Sequence, residues 1–447
     1  MVNHGPARAR YRTLGASAWQ SIAIFGAPYW ALTARRAVAA VRPPQRDTAK
    51  RRRLLVDVSI LANHDAGTGI QRVVRSLLRE LAVSPPSDFE VVPVKATRKD
   101  VYRYAIEYAA RFGILLPYVV GTKVQVDEGD MFLGLDLCSR IAPCRRNQYL
   151  DWQARGVQFA FVVYDLLPAL HPDWFTSKGR KSFRHWLTTI AIHADMLVCI
   201  SQAVANDLER WLTGKLALTD ARPAIRWFHL GTDLVIEEQP THSSLPISIT
   251  GSHPLDRWAL MVGTVEPRKG YAAVLDAYEI LWAQGCGVGL VVVGQQGWHV
   301  DALVERLRTH TEAGKRLFWL PNLDDAQLAN LYRTLDGLIM ASEGEGFGLP
   351  LIEAARNRMP ILARDLPVFR EVAGERATYF SAKNRHELAD ALRHWFERMQ
   401  TGALPVPEPP LTWQESANLL KNIIAGQIGS TNPSPHHHDE IIRIRNE

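Results

Sequence analysis

The chain has 447 residues, 47% of them apolar, and a formal net charge of +6. That length allows two ordinary domains with real cores, and the apolar share excludes a disordered chain. The charge is uneven. Residues 1–53 hold eleven Lys and Arg against one acid, Asp47. The body is therefore mildly acidic, which argues against a nucleic-acid groove. The basic arm suits an anionic membrane surface.

Within that arm, Thr13–Ala34 carries no charge, with Arg8, Arg10 and Arg12 before it and Arg35 and Arg36 after. Leu14, Ala18, Ile22, Phe25, Tyr29 and Leu32 share one helical face. The favoured expectation is an interfacial helix lying on a membrane. A true span and a packing helix of the fold stay open. Cys138, Cys144, Cys199 and Cys286 form no C-x-x-C pair, so they read as reduced thiols of a cytosolic protein.

After the arm, short apolar runs alternate with amphipathic helices. LLVDVSI (Leu54–Ile60) predicts a strand. Ile70, Val73, Val74, Leu77, Leu78 and Leu81 then repeat at three and four, a helix face. MFLGLDL, FAFVVYD and MLVCIS continue the series. Such alternation implies βαβ units and a parallel sheet. Residues 237–256, rich in Ser, Pro, Thr and Gly, read as a linker. A second series follows: WALMVG, GLVVVG, RLFWL, GLIMAS, PILA and ATYF. The expected fold class is α/β, with two doubly wound Rossmann-like domains facing across a cleft. Ligands of such sheets bind beyond the carboxyl ends of the strands.

Three stretches there carry candidate chemistry. In DAGTGIQR (Asp65–Arg72), Gly67 and Gly69 let backbone approach a ligand just before a helix. A third glycine is missing, and the same spacing serves an ordinary loop. GTVEPRKG (Gly263–Gly270) sets Arg268 beside Lys269 at a strand end, cations fit for a diphosphate. SEGEGFGLPLIEA (Ser342–Ala354) holds Glu343, Glu345 and Glu353 around a glycine turn and a helix start. Ionised carboxylates are favoured there and are pure acceptors, which suits vicinal hydroxyls. No D-x-D triplet occurs, so no metal site is expected. His436–His438 lie in a tail read as disordered.

Together these residues resemble a family 4 retaining glycosyltransferase of the two-domain GT-B type. The resemblance rests on Glu345-x7-Glu353, VGTVEPRKG, FWLPNLDDAQLANLY, HLGTD (His229–Asp233) and the C-terminal TWQESA, and covers about residues 54–425. DVSILANHDAGTGIQRVV and VVYDLLP resemble the branch that builds bacterial surface polysaccharides, often mannosyltransferases. The implied organisation is an arm (1–53), an acceptor-side domain (54–236), a linker (237–256) and a nucleotide-sugar domain (257–410). A helix crossing back to the first domain (411–426) and a disordered tail (427–447) complete it.

The resemblance also implies roles. Glu345 would accept from donor sugar hydroxyls, and Glu353 would hold the ribose. Phe347, Gly348 and Leu349 would offer backbone N–H groups to the sugar and distal phosphate. Lys269, with Arg268, would neutralise the diphosphate. Asn322 and Leu323 would lie against the base, and Gly67 and Gly69 would approach the donor. Two departures stand out. Thr264 occupies a position where many relatives carry Arg, so Arg72 is a candidate to share the leaving-group charge. Tyr164 precedes Asp165 where many carry His, so Tyr164 becomes a candidate sugar ligand in place of a His relay.

The expected function is metal-independent, retaining hexosyl transfer from a nucleotide-diphosphate sugar, with GDP-mannose favoured. The acceptor is a glycan or lipid-linked glycan at the cytoplasmic membrane face. No cofactor beyond the donor is expected. A GT-B nucleotide-sugar epimerase and a non-catalytic nucleotide-sugar scaffold are the alternatives.

Overall fold

A computed structural model describes residues 5–43, 52–233 and 257–426, with the backbone alone at 5–10. The expected linker, the tail and His436–His438 lie outside the described residues. The first sheet holds β1 (Arg52–Asp57), β2 (Phe89–Lys95), β3 (Arg103–Tyr104), β4 (Met131–Gly134), β5 (Gln158–Val163), β6 (Met196–Cys199) and β7 (Ala224–Trp227). Their order is β3-β2-β1-β4-β5-β6-β7, and only β2–β3 is antiparallel. The second holds β8 (Arg257–Val262), β9 (Val288–Val293), β10 (Leu317–Leu320), β11 (Gly337–Met340), β12 (Ile361–Arg364) and β13 (Thr378–Phe380). It runs β10-β9-β8-β11-β12-β13, all parallel.

Each sheet is covered on both faces, which is why its strands read as unbroken apolar runs. VGLVVV of β9 is buried at every position. The reversal of order beside β1 and beside β8 leaves a crevice at the carboxyl end of each sheet. The candidate residues of the second domain follow β8, β10 and β11, so they gather at one such end.

Three strands escape a reading by apolar runs. β2 contains Pro93, which normally marks a sheet edge. Its carbonyl accepts from Ala105 N at 2.9 Å, on the side where, among the described residues, the two-residue β3 pairs with it. β3 is too short to register as a pattern, and β7 is only half-buried.

The C-terminal helix Trp413–Ile424 returns to the first domain. Trp413, Ala417, Leu420, Ile423 and Ile424 join the core built by Val73, Val74, Leu77 and Leu78 of the helix Gly69–Val83. Thr412 and Glu415 close its start as a reciprocal cap. The HLGTD segment receives it. Thr232 N donates to Leu411 O at 2.9 Å, Ser416 Oγ to His229 O at 2.8 Å, and Trp413 N to Asp233 at 3.2 Å. A Cβ on Gly231 would lie 2.2 Å from Thr412 O, so the crossing needs glycine there.

The arm folds as a helical hairpin, Gly5–Phe25 and Ala31–Ala39, turned at Pro28–Trp30. Its small residues Ala16, Ala23, Ala31 and Ala34 are buried in the core of the first domain. Gln20, fully buried, donates to Asn147 at 2.8 Å and bonds His193 at 2.7 Å. Burial drives the His193 pKa down to about 3, so it is neutral. Arg35 caps the carbonyls of Ala191 (3.1 Å) and Ala194 (2.7 Å) at the end of the helix Ser177–His193. Arg42 pairs with Asp195 through both carboxylate oxygens. The hairpin is thus a packing element of the fold, and no described helix is long and apolar enough to cross a membrane. The opposite face stays outward: Tyr11, Leu14 and Tyr29 are 74%, 67% and 69% exposed, and Ile22 and Phe25 are exposed as well.

Candidate active site

The site is assembled by three chain segments of the second domain. After β8, Pro267–Lys269 forms a tight turn whose position is set by β11, because Glu343 N donates to Arg268 O at 2.7 Å. After β11, the EGFG loop leads into the helix Leu349–Arg356, with Pro350 in its first turn, where a missing N–H is harmless. After β10, Pro321–Leu323 precedes the helix Asp325–Thr334, capped by Asp324 and Gln327.

Glu345 is the centre. Its Oε1 accepts from Lys269 Nζ at 2.5 Å and Ser342 Oγ at 2.8 Å, and its Oε2 pairs with Arg268 Nη1 at 3.0 Å. Burial alone would raise its pKa, but Lys269 and Arg268 outweigh that and hold it at about 2. A carboxylate offers about four lone-pair sites. Three are filled, so in this geometry one remains, on Oε2, for a ligand hydroxyl. Arg268 also donates to Gly344 O at 2.8 Å and pairs with Glu266 at 3.0 Å. Desolvation opposes its charge, but Glu345, Glu266 and Asp165 overcome this and raise its pKa.

Glu353 has a different arrangement. Tyr332 OH donates to Oε2 at 2.7 Å, and Arg72 of the first domain pairs with Oε1. Each oxygen therefore keeps one lone pair, a two-point grip for a vicinal diol. Arg72 also reaches Asp325 at 3.2 Å. Its own pKa is raised, mainly by Glu353. The long-range pair 72–353 ties the two domains together across the cleft. Ser201 Oγ adds a bond to Gly346 O at 2.8 Å. Glu371 caps the helix that begins at Gln202, accepting from Gln202 N (2.6 Å) and Ala203 N (2.8 Å), and also meets His229 at 2.7 Å.

Most of the other candidates line this closure. Gly69 starts the helix Gly69–Val83 and sits against Leu349, to whose side chain a Cβ would lie 3.6 Å away. Gly67 stands open beside it. Gly348 precedes the helix Leu349–Arg356. Phe347 is buried, with His229 edge-on at 5.7 Å. Asn322 is exposed and accepts from Gln295 at 3.3 Å. Leu323 packs partly buried on the core below. Asp165 accepts from Leu167 N at 3.0 Å, and its pKa is pushed up by desolvation against the pull of Arg268.

Tyr164 differs from its expected role. Its ring is buried in the first-domain core and its OH donates to Leu135 O at 2.7 Å. The hydroxyl is committed away from the cleft, so it is not the sugar ligand proposed for it. What reaches the cleft is its backbone: a Cβ on Gly346 would lie 1.9 Å from Tyr164 O. Gly346 is thus a contact point between domains.

Sequence reasoning passed over Glu266, Ser342, Tyr332, Ser201 and Glu371. Glu266 and Ser342 lie inside the quoted motifs, and their polarity was the available signal. Tyr332 reads as an apolar helix position, and nothing in its spacing reveals that its hydroxyl serves Glu353. Among the described residues, no group of three or more His, Cys, Asp or Glu could hold a metal ion.

Residues 250–401 match the family of group 1 glycosyl transferases. The chain carries a glycosyltransferase group 1 domain. It is 41% identical over 386 residues to the serotype-specific mannosyltransferase WbdA of Escherichia coli, covering 83% of this chain and 45% of that protein. The chain thus spans less than half the length of the three WbdA proteins it matches. In structure it is similar to sucrose-phosphate synthase of Thermosynechococcus elongatus (TM-score 0.55, 16% identity, 84% of this chain and 99% of that one). It is also similar to Anabaena HepE in complex with UDP and glucose (TM-score 0.54, 14% identity, 83% and 95%). The fold is GT-B, and the glycosyltransferase group 1 domain supplies the Glu345 cluster and Glu353.

Proposed function

We propose that the protein is a retaining, metal-independent mannosyltransferase of bacterial surface-polysaccharide assembly. It moves mannose from GDP-mannose to a glycan or lipid-linked acceptor. The observation that carries this reading is the Arg268–Lys269 pair after β8, held on Glu345 in the loop that leads into the helix bearing Glu353. The barrier to transfer is departure of the diphosphate. Cations placed where that charge develops lower it. In the proposed step the bond from C1 to the diphosphate oxygen breaks. The acceptor oxygen bonds C1 from the same face and passes its proton to a leaving phosphate oxygen. Lys269 and Arg268 hold the diphosphate, Glu353 the ribose, and the free lone pair of Glu345 one sugar hydroxyl. The resemblance of the chain to WbdA favours mannose.

A thermal-shift series with GDP, UDP, TDP and ADP tests the donor. A nucleotide at 100 times its Kd adds about 2.7 kcal/mol of stability. GDP is expected to give the largest shift. A shift by none of the four would overturn the reading, and a preference for UDP would move the donor away from GDP-mannose.

The exposed stripe of the hairpin supplies a membrane partner, at the inner face of the cytoplasmic membrane. Tyr11, Leu14, Ile22, Phe25 and Tyr29 point outward, with Arg12, Lys181 and Arg184 exposed nearby. Arg146 lies 4.9 Å over the Phe25 ring. Apolar area plus basic charge is what an anionic interface binds. Because the other face of the hairpin is core, deleting the arm would damage the domain. A Leu14→Glu, Ile22→Glu, Phe25→Glu variant is the cleaner test. It is expected to lose cosedimentation with anionic phospholipid vesicles and keep activity on a soluble acceptor. Unchanged cosedimentation would contradict this.

A further inference from the structure

An aromatic group between the two domains lies outside the donor residues described above. The segment between β5 and the helix Ser177–His193 brings His171, Trp174 and Phe175 from the first domain. The segment after β9 brings Trp298 from the second. Trp298 Nε1 donates to Trp174 O at 2.7 Å, Phe175 and Trp298 have centroids 5.7 Å apart, and His171 stacks on Trp174 at 4.1 Å. His171 is exposed, and the other three rings are only half-buried. Large rings left part-exposed are the kind that ligand sites and interfaces use.

The shelf is continuous with the cation cluster on both sides. A Cβ on Gly344 would lie 2.9 Å from the Trp174 ring, and Arg268 donates to Gly344 O at 2.8 Å. On the other side, a Cβ on Gly297, next to Trp298, would lie 3.0 Å from the Glu266 side chain, which pairs with Arg268. One residue layer therefore separates the rings from Glu345, Arg268 and Lys269.

We propose that Trp174 and Trp298 form the acceptor subsite, a shelf that binds a neutral oligosaccharide through the C–H faces of its sugar rings. The electron-rich face of an indole attracts such C–H groups, and the rings need no counter-charge. A shelf built from both domains also links acceptor binding to cleft closure. This inference rests on the reading that the protein transfers sugar to a glycan.

The test uses Trp174→Leu, Trp298→Leu and Trp298→Phe with GDP-mannose and soluble manno-oligosaccharides. Each Leu variant is expected to raise the acceptor KM about tenfold, with kcat at saturating acceptor and the GDP thermal shift unchanged. Trp298→Phe keeps a ring but loses the Nε1 bond to Trp174 O, and is expected to raise the acceptor KM less than Trp298→Leu. If kcat and the GDP shift fall together while the acceptor KM holds, the rings are a domain clamp and the subsite is overturned. Should a variant fail to fold, manno-oligosaccharide binding to the wild-type protein decides. Quenching of tryptophan fluorescence in the presence of GDP supports the subsite, and no change overturns it. A wild type that binds no nucleoside diphosphate would instead count against the transferase reading itself.

Discussion

Lys269→Ala is expected to lower kcat by about 10²–10³, the usual loss when one donor to a developing anion is removed. Lys269 is a compact charge on a flexible stem, held at Glu345 by a 2.5 Å bond. Its neighbour Arg268 is more constrained, since it bonds Gly344 O and Glu266 as well. Lys269 is therefore the cation freer to follow the leaving diphosphate. Single-turnover rates with bound donor check this, because the loss should fall on the chemical step and spare most of the nucleotide affinity. Wild-type turnover in Lys269→Ala would remove the leaving-group role.

Glu345→Gln is expected to have the largest effect on the folded protein. The substitution preserves shape but leaves Lys269 without the carboxylate it is paired with, and Arg268 with only Glu266 and the charge of Asp165. Breaking a buried pair on one side costs about 3–5 kcal/mol. The pH dependence follows from the pKa. The folded value of about 2 lies below the usual 4.5, so Glu345 contributes stability at pH values above 4.5. That contribution, about 3 kcal/mol by linkage, disappears as pH falls from 4.5 through 2. Urea denaturation should show wild type well above Glu345→Gln at pH 7, with the gap narrowing by pH 3. An equal gap at both pH values would contradict the charge cluster described here.

The second domain was the more legible in sequence. Its strands are buried on both faces, so GLVVVG, GLIMAS and PILA stand out as apolar runs. The glutamate pair and the cation turn were legible for a similar reason: each is local, fixed by a strand end and the start of a helix. What sequence reasoning did not reach is long-range. Arg72 lies 281 residues from Glu353, and no spacing links them. Tyr164 shows the converse, a polar residue in a promising motif whose hydroxyl is spent inside the core. In the arm, hydropathy picked out the large residues of one face. The fold buries the other, built from Ala16, Ala23, Ala31 and Ala34 with Gln20, Ile24 and Val38; the small alanines permit close packing but give little signal.

The measurement that bears most directly on the proposed chemistry is transfer from GDP-mannose to a soluble manno-oligosaccharide in EDTA, with product anomeric configuration read by NMR. The expected result is GDP released in step with an α-linked mannoside, at a rate EDTA does not change. A β-linked product, activity lost in EDTA and restored by manganese, or an isomerised sugar formed without acceptor would contradict it.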